Sequence, residues 1–554
     1  GKGNDISPEY EWVPRFDARI KIAEQLKKLQ LFDHEEDHEM RLGITQRGHD
    51  INEQIIKKQW FIDTKEMAER AIKVLDDGQL EIFPAEFKTD WKIWHENIRP
   101  WCISRQLWWG HRIPAYQIFI DGKAQDDTNG WVAAHDDEEA FKLASEKVGI
   151  FDKNRIKIIQ DEDVLDTWFS AALLPFSSLG WPDNIKFDRY FPGSSLQTGF
   201  DILTFWLSRM VMLSLELTDQ IPFKTILLNP LIRDAQGRKM SKSLGNVVNF
   251  NHIIDGISLQ ELIDNLKYSY LDEKEMKIAE KGMRFSFPNG ILQLGTDAMR
   301  MAFISFACTG RKVNLNMNQI ISYRNFCNKM WNATKYAMPK FINLDTSHDT
   351  LDNIDDDELS IADKWILNKL NIAIKAAILG CEEYLMGKAI SSLIHFFHDE
   401  FCSIYLETIK PIMNSDDERK KKIITIILYE CIETTLRLFH PFMPFITEDL
   451  WQRIPKRFDC PSIMISPYPR ENIKWDSYST IKMENAIKIT SSIRKMAHTY
   501  NIGINKISAQ IATDISDISD TFETICAMTG IKNIEQIPRG SPANPGFTIE
   551  ILSE

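Results

Sequence analysis

Residues Lys224–Asn246 read KTILLNPLIRDAQGRKMSKSLGN. The stretch opens on a short apolar run closed by Asn229 and Pro230, the pattern of a buried strand. It then enters a loop punctuated by Gly237 and Gly245 that carries Lys239, Ser241, Lys242 and Ser243. A strand feeding a loop rich in cations and hydroxyls suits the gripping of a polyphosphate. The Gly-x4-Gly-Lys-Ser/Thr phosphate-loop spacing is absent, as is the dinucleotide glycine fingerprint. Isolated lysines are ordinarily solvated surface charges, but the order Lys-Met-Ser-Lys-Ser after a strand-like run is more specific than that.

Working outward, tryptophan-rich segments, strand-like runs and loops alternate from about Gln59 to Arg300, which argues for an α/β domain with parallel strands. Upstream, DARIKIAEQLKKLQLF places Ile20, Ala23, Leu26 and Leu29 at helical spacing. Downstream, the acidic tract DTSHDTLDNIDDDELS, Asp345–Ser360, reads as a linker or an exposed crossing. Beyond it Leu370, Ile374, Ile378, Cys381 and Leu385 recur every three or four residues, the signature of a helical bundle. NSDDERKKK at Asn414–Lys422 sets cap and acids before bases, a helix start rather than an RNA-binding patch. Alternation in KISAQIA and GFTIEIL predicts a small α/β tail. The expected domains are 1–58, 59–345, 346–484 and 485–554.

The 554 residues are 44% hydrophobic with a net charge of -13, enough for several cores and unlike a protein that coats nucleic acid non-specifically. Eight cysteines stand singly, with no Cys-x-x-Cys pair, so a reducing, cytoplasmic setting is expected and no zinc or disulfide framework is indicated. No apolar run is long enough for a bilayer. HEEDH at His34–His38 matches the zinc-protease pattern, but its acidic surroundings give no apolar helix face and no third ligand, so a charged loop is expected and no metal site. The sequon at Asn332–Thr334 lies in an aromatic-rich helical stretch and is set aside.

Around the lysine loop stand NIRPWCISRQLWWGHRIPAY (Asn97–Tyr116), DEDVLDTWFSAALLPFSSLGW (Asp161–Trp181) and GFDILTFWLSRMVM (Gly199–Met212). GTDAMR (Gly295–Arg300), YRNFCNKMWNATKY (Tyr323–Tyr336) and LRLFHPFMPFITEDLWQRIP (Leu436–Pro455) follow. With KMSKS, these segments resemble the valyl-tRNA synthetases, a family of class I aminoacyl-tRNA synthetases, over nearly the whole chain. The resemblance implies part of a Rossmann-like catalytic domain, then an all-α anticodon-binding bundle and the small tail. It implies valine, ATP with Mg2+, and tRNA(Val) as partners. VPRFDAR (Val13–Arg19) and MRLGITQRGHDINEQIIKKQWF (Met40–Phe61) resemble the end of the family's editing domain and the return from it. The family's His-x-Gly-His signature and the body of its editing domain have no counterpart here, and residue 1 is Gly. The expectation is therefore a C-terminal portion, inactive in aminoacylation without an N-terminal part.

By resemblance, Lys239, Ser241, Lys242 and Ser243, with Gly237 at the edge, bind the ATP phosphates, and Lys239 and Lys242 act catalytically. Trp168, Asp201, Ile202 and Trp206 line the valine site: Asp201 pairs with the ammonium, while Ile202 and Trp206, four apart on an expected helix, share a face. The bland alternative is that both tryptophans are ordinary core. Two positions depart from the family: Phe200 stands where it has a polar aromatic or histidine, and LLNPLIRD stands where it commonly has histidine and a small residue. Since an apolar pocket rejects threonine poorly, the complete enzyme would edit mischarged threonine. The competing reading is a non-catalytic tRNA-binding protein that retains the catalytic remnant as scaffold.

Overall fold

The computed structural model describes residues 8–39, 41–44, 51–52, 56–125, 129–183, 187–234, 237–240, 246–268, 271, 273–307, 310–476, 478, 480–501, 509–512, 518–538 and 548–550. The chain divides into two compact units, Gly1–Asp63 with Pro100–Thr167, and Thr64–Arg99 with Trp168–Glu554.

In the first unit, Ala115–Ile120 is the middle strand of a sheet whose pairings with Lys123–Ala124, Trp131–Ala133 and Ile156–Gln160 are all antiparallel. Helix Asp137–Val148 covers it, setting Ala144 against Ile118 and Ile156. That helix is well terminated: the Asp136 carboxylate accepts from the Glu139 amide at 2.9 Å, and Gly149 closes it at φ 71°. The expected N-terminal helix spans Arg15–Lys28 with its acid first and bases last. Its apolar stripe is not buried, for Ile20 is 60% and Leu29 67% exposed. Residues 31–39 form no helix, so His34 and His38 are not one turn apart. Among the described residues no cluster of His, Cys, Asp or Glu could hold a metal, and no helix is long and apolar enough to cross a membrane.

The second unit opens with helix Lys65–Asp76, continues with β1 (Glu81–Phe83) and α1 (Phe87–Glu96), resumes at α2 (Thr167–Ala172), β2 (Gly193–Gly199), α3 (Ser208–Thr218) and β3 (Phe223–Asn229), then reaches β4 (Leu231–Arg233). The order β2-β3-β1 is wholly parallel, with Leu196 and Ile82 flanking Ile226. β3 is central, and its run Ile226, Leu227, Leu228 is buried, as continuous apolar strands of parallel sheets are. There follow α4 (Leu259–Leu266), α5 (Glu273–Ser286), α6 (Thr296–Ser305), β5 (Lys312–Asn314), which runs parallel to β4, and α7 (Met317–Ala337).

The bundle is built on α8 (Ile361–Glu382) and α9 (Glu418–Phe439). Leu370 and Ile374 are buried as their spacing demands, whereas Leu385 lies past the end of α8. At the start of α9 the Asp417 carboxylate accepts from the Lys420 amide at 3.0 Å. Arg437 forks onto Glu433 with two 2.7 Å bonds inside this core. The acidic tract is not a free linker. Lys422 binds Asp349 at 2.6 Å, Arg419 binds Glu358, and Ile354 and Leu359 are buried, because α9 opens with the bases that match these acids. The tail is the α/β unit expected: α10 (Ile481–Thr499), β6 (Ala509–Ala512), α11 (Phe522–Thr529), β7 (Ile534–Ile537) and β8 (Thr548–Glu550), with β6 between two parallel neighbours.

Candidate active site

In open parallel sheets, ligands bind beyond the carboxyl ends of the strands. β2 ends at Gly199 and delivers Asp201; its neighbour β3 ends at Asn229 and delivers β4 and the lysine loop. The two products meet, with Lys239 Nζ 3.9 Å from Asp201 Oδ2 and both side chains solvent-accessible. Gly199 leaves room for this carboxylate, since a Cβ there would lie 2.7 Å from Asp201 Oδ1.

A hairpin sets the position of Lys239. The Gly237 amide donates to the Asp234 carbonyl at 2.9 Å, and the Asp234 amide to the Arg238 carbonyl at 3.0 Å. Lys239 then bridges back to Arg233. Gly237 sits at φ 78°, a left-handed conformation that glycine adopts without a Cβ penalty. Asp234 is the hub of the turn. Its buried carboxylate accepts from the Arg238 amide at 2.8 Å, Arg238 Nε at 2.7 Å and Asn246 Nδ2 at 3.0 Å. Burial pushes this carboxyl up, but the bonds from Asn246 and Arg238 outweigh it and hold it below the usual carboxylate range. Asn246 also donates to the Lys239 carbonyl at 3.3 Å, so one carboxylate ties together both flanks of the basic stretch. Ser241, Lys242 and Ser243 lie outside the described residues.

The segment after β2 is not the simple helix expected near Asp201. Phe200–Ile202 form a 3-10 turn, Leu203–Leu207 a π-turn, and regular α-helix starts only at Ser208. The wider π-turn changes the angular step between residues, so the four-residue spacing of Ile202 and Trp206 is not the α-helical one; such turns recur at functional sites. Trp206 donates its indole N–H to the Ala171 carbonyl of α2 at 3.2 Å, which leaves its ring face for other contacts. Trp168, also on α2, stacks on Phe205 at 6.4 Å between centroids. Trp168, Ile202 and Trp206 are all half-buried rather than core.

Behind this wall, His95 of α1 is buried. Its Nδ1 donates to the Trp91 carbonyl at 2.7 Å, so Nε2 accepts from the Ser208 hydroxyl at 2.8 Å. Burial lowers its pKa to about 4, against the Trp91 bond that raises it, and the ring is neutral. The departing Phe200 stacks on Phe87 at 5.7 Å, with the Arg311 guanidinium 4.9 Å over the Phe87 ring and bonded to Asp90.

Sequence reading missed Asp234, Phe205 and the His95–Ser208 bond. The opposite charges of Asp234 and Arg238, four apart around a glycine, were a usable signal for the first. No local pattern announces a bond between residues 95 and 208. The quoted GTDAMR and PFITED motifs also meet: Asp297 accepts from the amides of Phe445 and Ile446, at 3.3 and 2.7 Å, at the start of helix Pro444–Trp451.

Residues 37–316 match the family model for tRNA synthetases class I (I, L, M and V), and residues 363–512 that for the anticodon-binding domain of tRNA ligase. The valine–tRNA ligase of Caenorhabditis elegans is 40% identical over 94% of this chain and 50% of its own length. The mitochondrial valine–tRNA ligase of Saccharomyces cerevisiae is 40% identical over 99% of this chain and 51% of its own. The human valine–tRNA ligase is 37% identical over 99% and 44%. Among solved structures, Mycobacterium tuberculosis methionyl-tRNA synthetase in complex with methionyl-adenylate aligns at TM-score 0.48 and 15% identity, over 73% of this chain and 64% of that one. The chain spans about half the length of the curated relatives it matches. The family model covers the strands, the π-turn and the lysine hairpin described above, and this chain belongs to the class I tRNA synthetases (I, L, M and V).

Proposed function

We propose that the protein carrying this chain is a valine–tRNA ligase, and that the residues gathered beyond β2 and β3 form the amino-acid and pyrophosphate side of its activation site. The observation that carries this reading is the meeting of Asp201 and Lys239 at the carboxyl ends of adjacent parallel strands, beside half-buried Trp168 and Trp206. The names of the relatives, which match nearly the whole of this chain, support valine over the other amino acids of the family.

In the reaction proposed, a carboxylate oxygen of valine bonds to the α-phosphorus of ATP as the bond from that phosphorus to the bridging oxygen breaks. Pyrophosphate leaves with the electron pair. Such a step rests on positioning and on cations at the leaving group. Asp201 holds the ammonium, Ile202 and the tryptophan faces receive the branched side chain, and Lys239 with Lys242 neutralises charge on the departing phosphates. Gly237 shapes the hairpin, and Ser241 and Ser243 add donors. Mg2+ accompanies ATP as its usual counter-ion. A terminal ribose hydroxyl of tRNA(Val), which the bundle holds by its anticodon region, then attacks the carbonyl carbon of the adenylate and AMP leaves; threonine charged in error is hydrolysed by the complete enzyme.

The test is ATP–pyrophosphate exchange by the protein carrying this chain, run with each of the twenty amino acids. Valine should drive the fastest exchange, with threonine behind it. Preference for isoleucine, leucine or methionine would overturn the assignment, and tRNA binding without any exchange would favour the scaffold reading. The seven described cysteines are free, which suits the cytosol; fractionation distinguishes this from a mitochondrial site.

A further inference from the structure

We propose that the cavity at the root of the lysine loop binds a neutral aromatic small molecule with an amide-like hydrogen-bonding edge. The cavity measures about 470 Å³, within the usual range for small-molecule sites. It lies between α5, the start of α7, and the segments just before and just after the basic stretch. The proposed aminoacylation places no substrate in it, and the inference stands independently of that reading.

Three features argue for a ligand. First, two apolar clusters face each other here without merging. One joins Leu266 and Ala279 to Met283; the other joins Leu294 and Leu315 to Met240 and Val248. The space between them is a cleft partly open to solvent, and no described side chain fills it. Second, α5 thins where it borders the space: a Cβ at Gly282 would meet nothing within 4 Å, and Ile278 one turn earlier is 57% exposed. Third, the wall is electrically balanced. Asp234 and Arg238 are paired with each other at 2.7 Å, and the remaining polar lining includes Asn314, Asn316 and Asn318, which offer amide hydrogen bonds without charge.

The chemistry of the occupant follows. Met240, Met283 and Met317 line the cavity, and their thioethers adapt well to aromatic faces. A neutral ring meets these, while an amide edge meets the asparagines. The charged side chains among the described lining residues, Asp234 and Arg238, are already engaged with each other, which favours a neutral ligand. Because Met240 and Val248 lie on either side of the lysine stretch, the ligand would touch both flanks of the loop.

The probe is 1-naphthaleneacetamide, titrated into the protein carrying this chain and followed by naphthalene fluorescence and calorimetry. Saturable one-to-one binding is expected, with the anionic shape-mate 1-naphthaleneacetate at least about tenfold weaker. Gly282→Leu, which fills the space and raises helix propensity, should weaken the amide at least about tenfold. Ile278→Glu, at an exposed position, should weaken it too without a fall in melting temperature. Absence of saturable binding, or binding equally strong in both variants, overturns the site. Equal affinity for the acetate overturns the ligand class.

Discussion

Replacing Asp234 by alanine should disable the lysine loop while sparing the proposed amino-acid pocket. Among the described residues the carboxylate accepts from the Arg238 amide, Arg238 Nε and Asn246. A net hydrogen bond between neutral groups is worth about 1 kcal/mol, and one to a charged group about 1.5–3. The Arg238 side chain is 49% exposed, so its ionic contribution falls to about 1 kcal/mol. Roughly 4–7 kcal/mol of gross restraint is then lost, most of which water restores as the hairpin opens. If about 1.4 kcal/mol of this is not restored, the equilibrium constant for the loop in place drops about tenfold. Pyrophosphate exchange at saturating valine and ATP should slow by about that factor, with the KM for valine within about twofold, because Asp201 and the tryptophans belong to other segments. Asn246→Ala, which removes the bonds to the Asp234 carboxylate and to the Lys239 carbonyl but leaves those from Arg238, should slow exchange by only about threefold. Exchange as fast in Asp234→Ala as in the native protein would refute the hub. So would a large rise in valine KM with the maximal rate unchanged.

Other outcomes follow from the same contacts. In the proposed enzyme Lys242→Ala should slow exchange more than about tenfold, since a charge-assisted contact worth about 1.5–3 kcal/mol in the transition state is lost; an unchanged rate removes the loop from the chemistry. His95 is buried with a pKa of about 4 against an ordinary 6.5, so the unfolded chain binds the extra proton between these values. Stability should therefore fall as pH drops from about 6.5 to about 4, by at most roughly 3 kcal/mol. His95→Gln should flatten that slope in urea unfolding at pH 4.5, 5.5 and 7.5; an equal slope in both proteins counts against the buried neutral ring. In the bundle, Glu433→Ala would strand the buried Arg437 guanidinium and cost about 3–5 kcal/mol. A bundle melting temperature within a degree or two of the native one would show that water reaches Arg437.

The parts legible in the sequence share one property: the residues that decide them are neighbours along the chain. β3 was visible because a central parallel strand is apolar on both faces. α9 was visible because acids precede bases at its start, and the β6 sheet because its strands alternate. The apolar stripe of Arg15–Lys28 was equally visible, yet helical spacing does not say what covers a face. Distant pairings stayed hidden: the acids of 345–360 announced solvent until the bases at the head of α9 claimed them. The same divide runs through the site. KMSKS and the tryptophans signal themselves, but the π-turn that orients Trp206 has no sequence mark, and neither does the bond from Ser208 to His95.

The central claim is that Asp201 serves the amino acid while the neighbouring loop serves the nucleotide. It is tested most directly by exchange kinetics of Asp201→Asn in the protein carrying this chain. Loss of a charge-assisted bond to the substrate ammonium predicts a KM for valine at least about tenfold higher, with the KM for ATP little changed. A normal KM for valine with a raised KM for ATP would contradict the account and place Asp201 on the nucleotide.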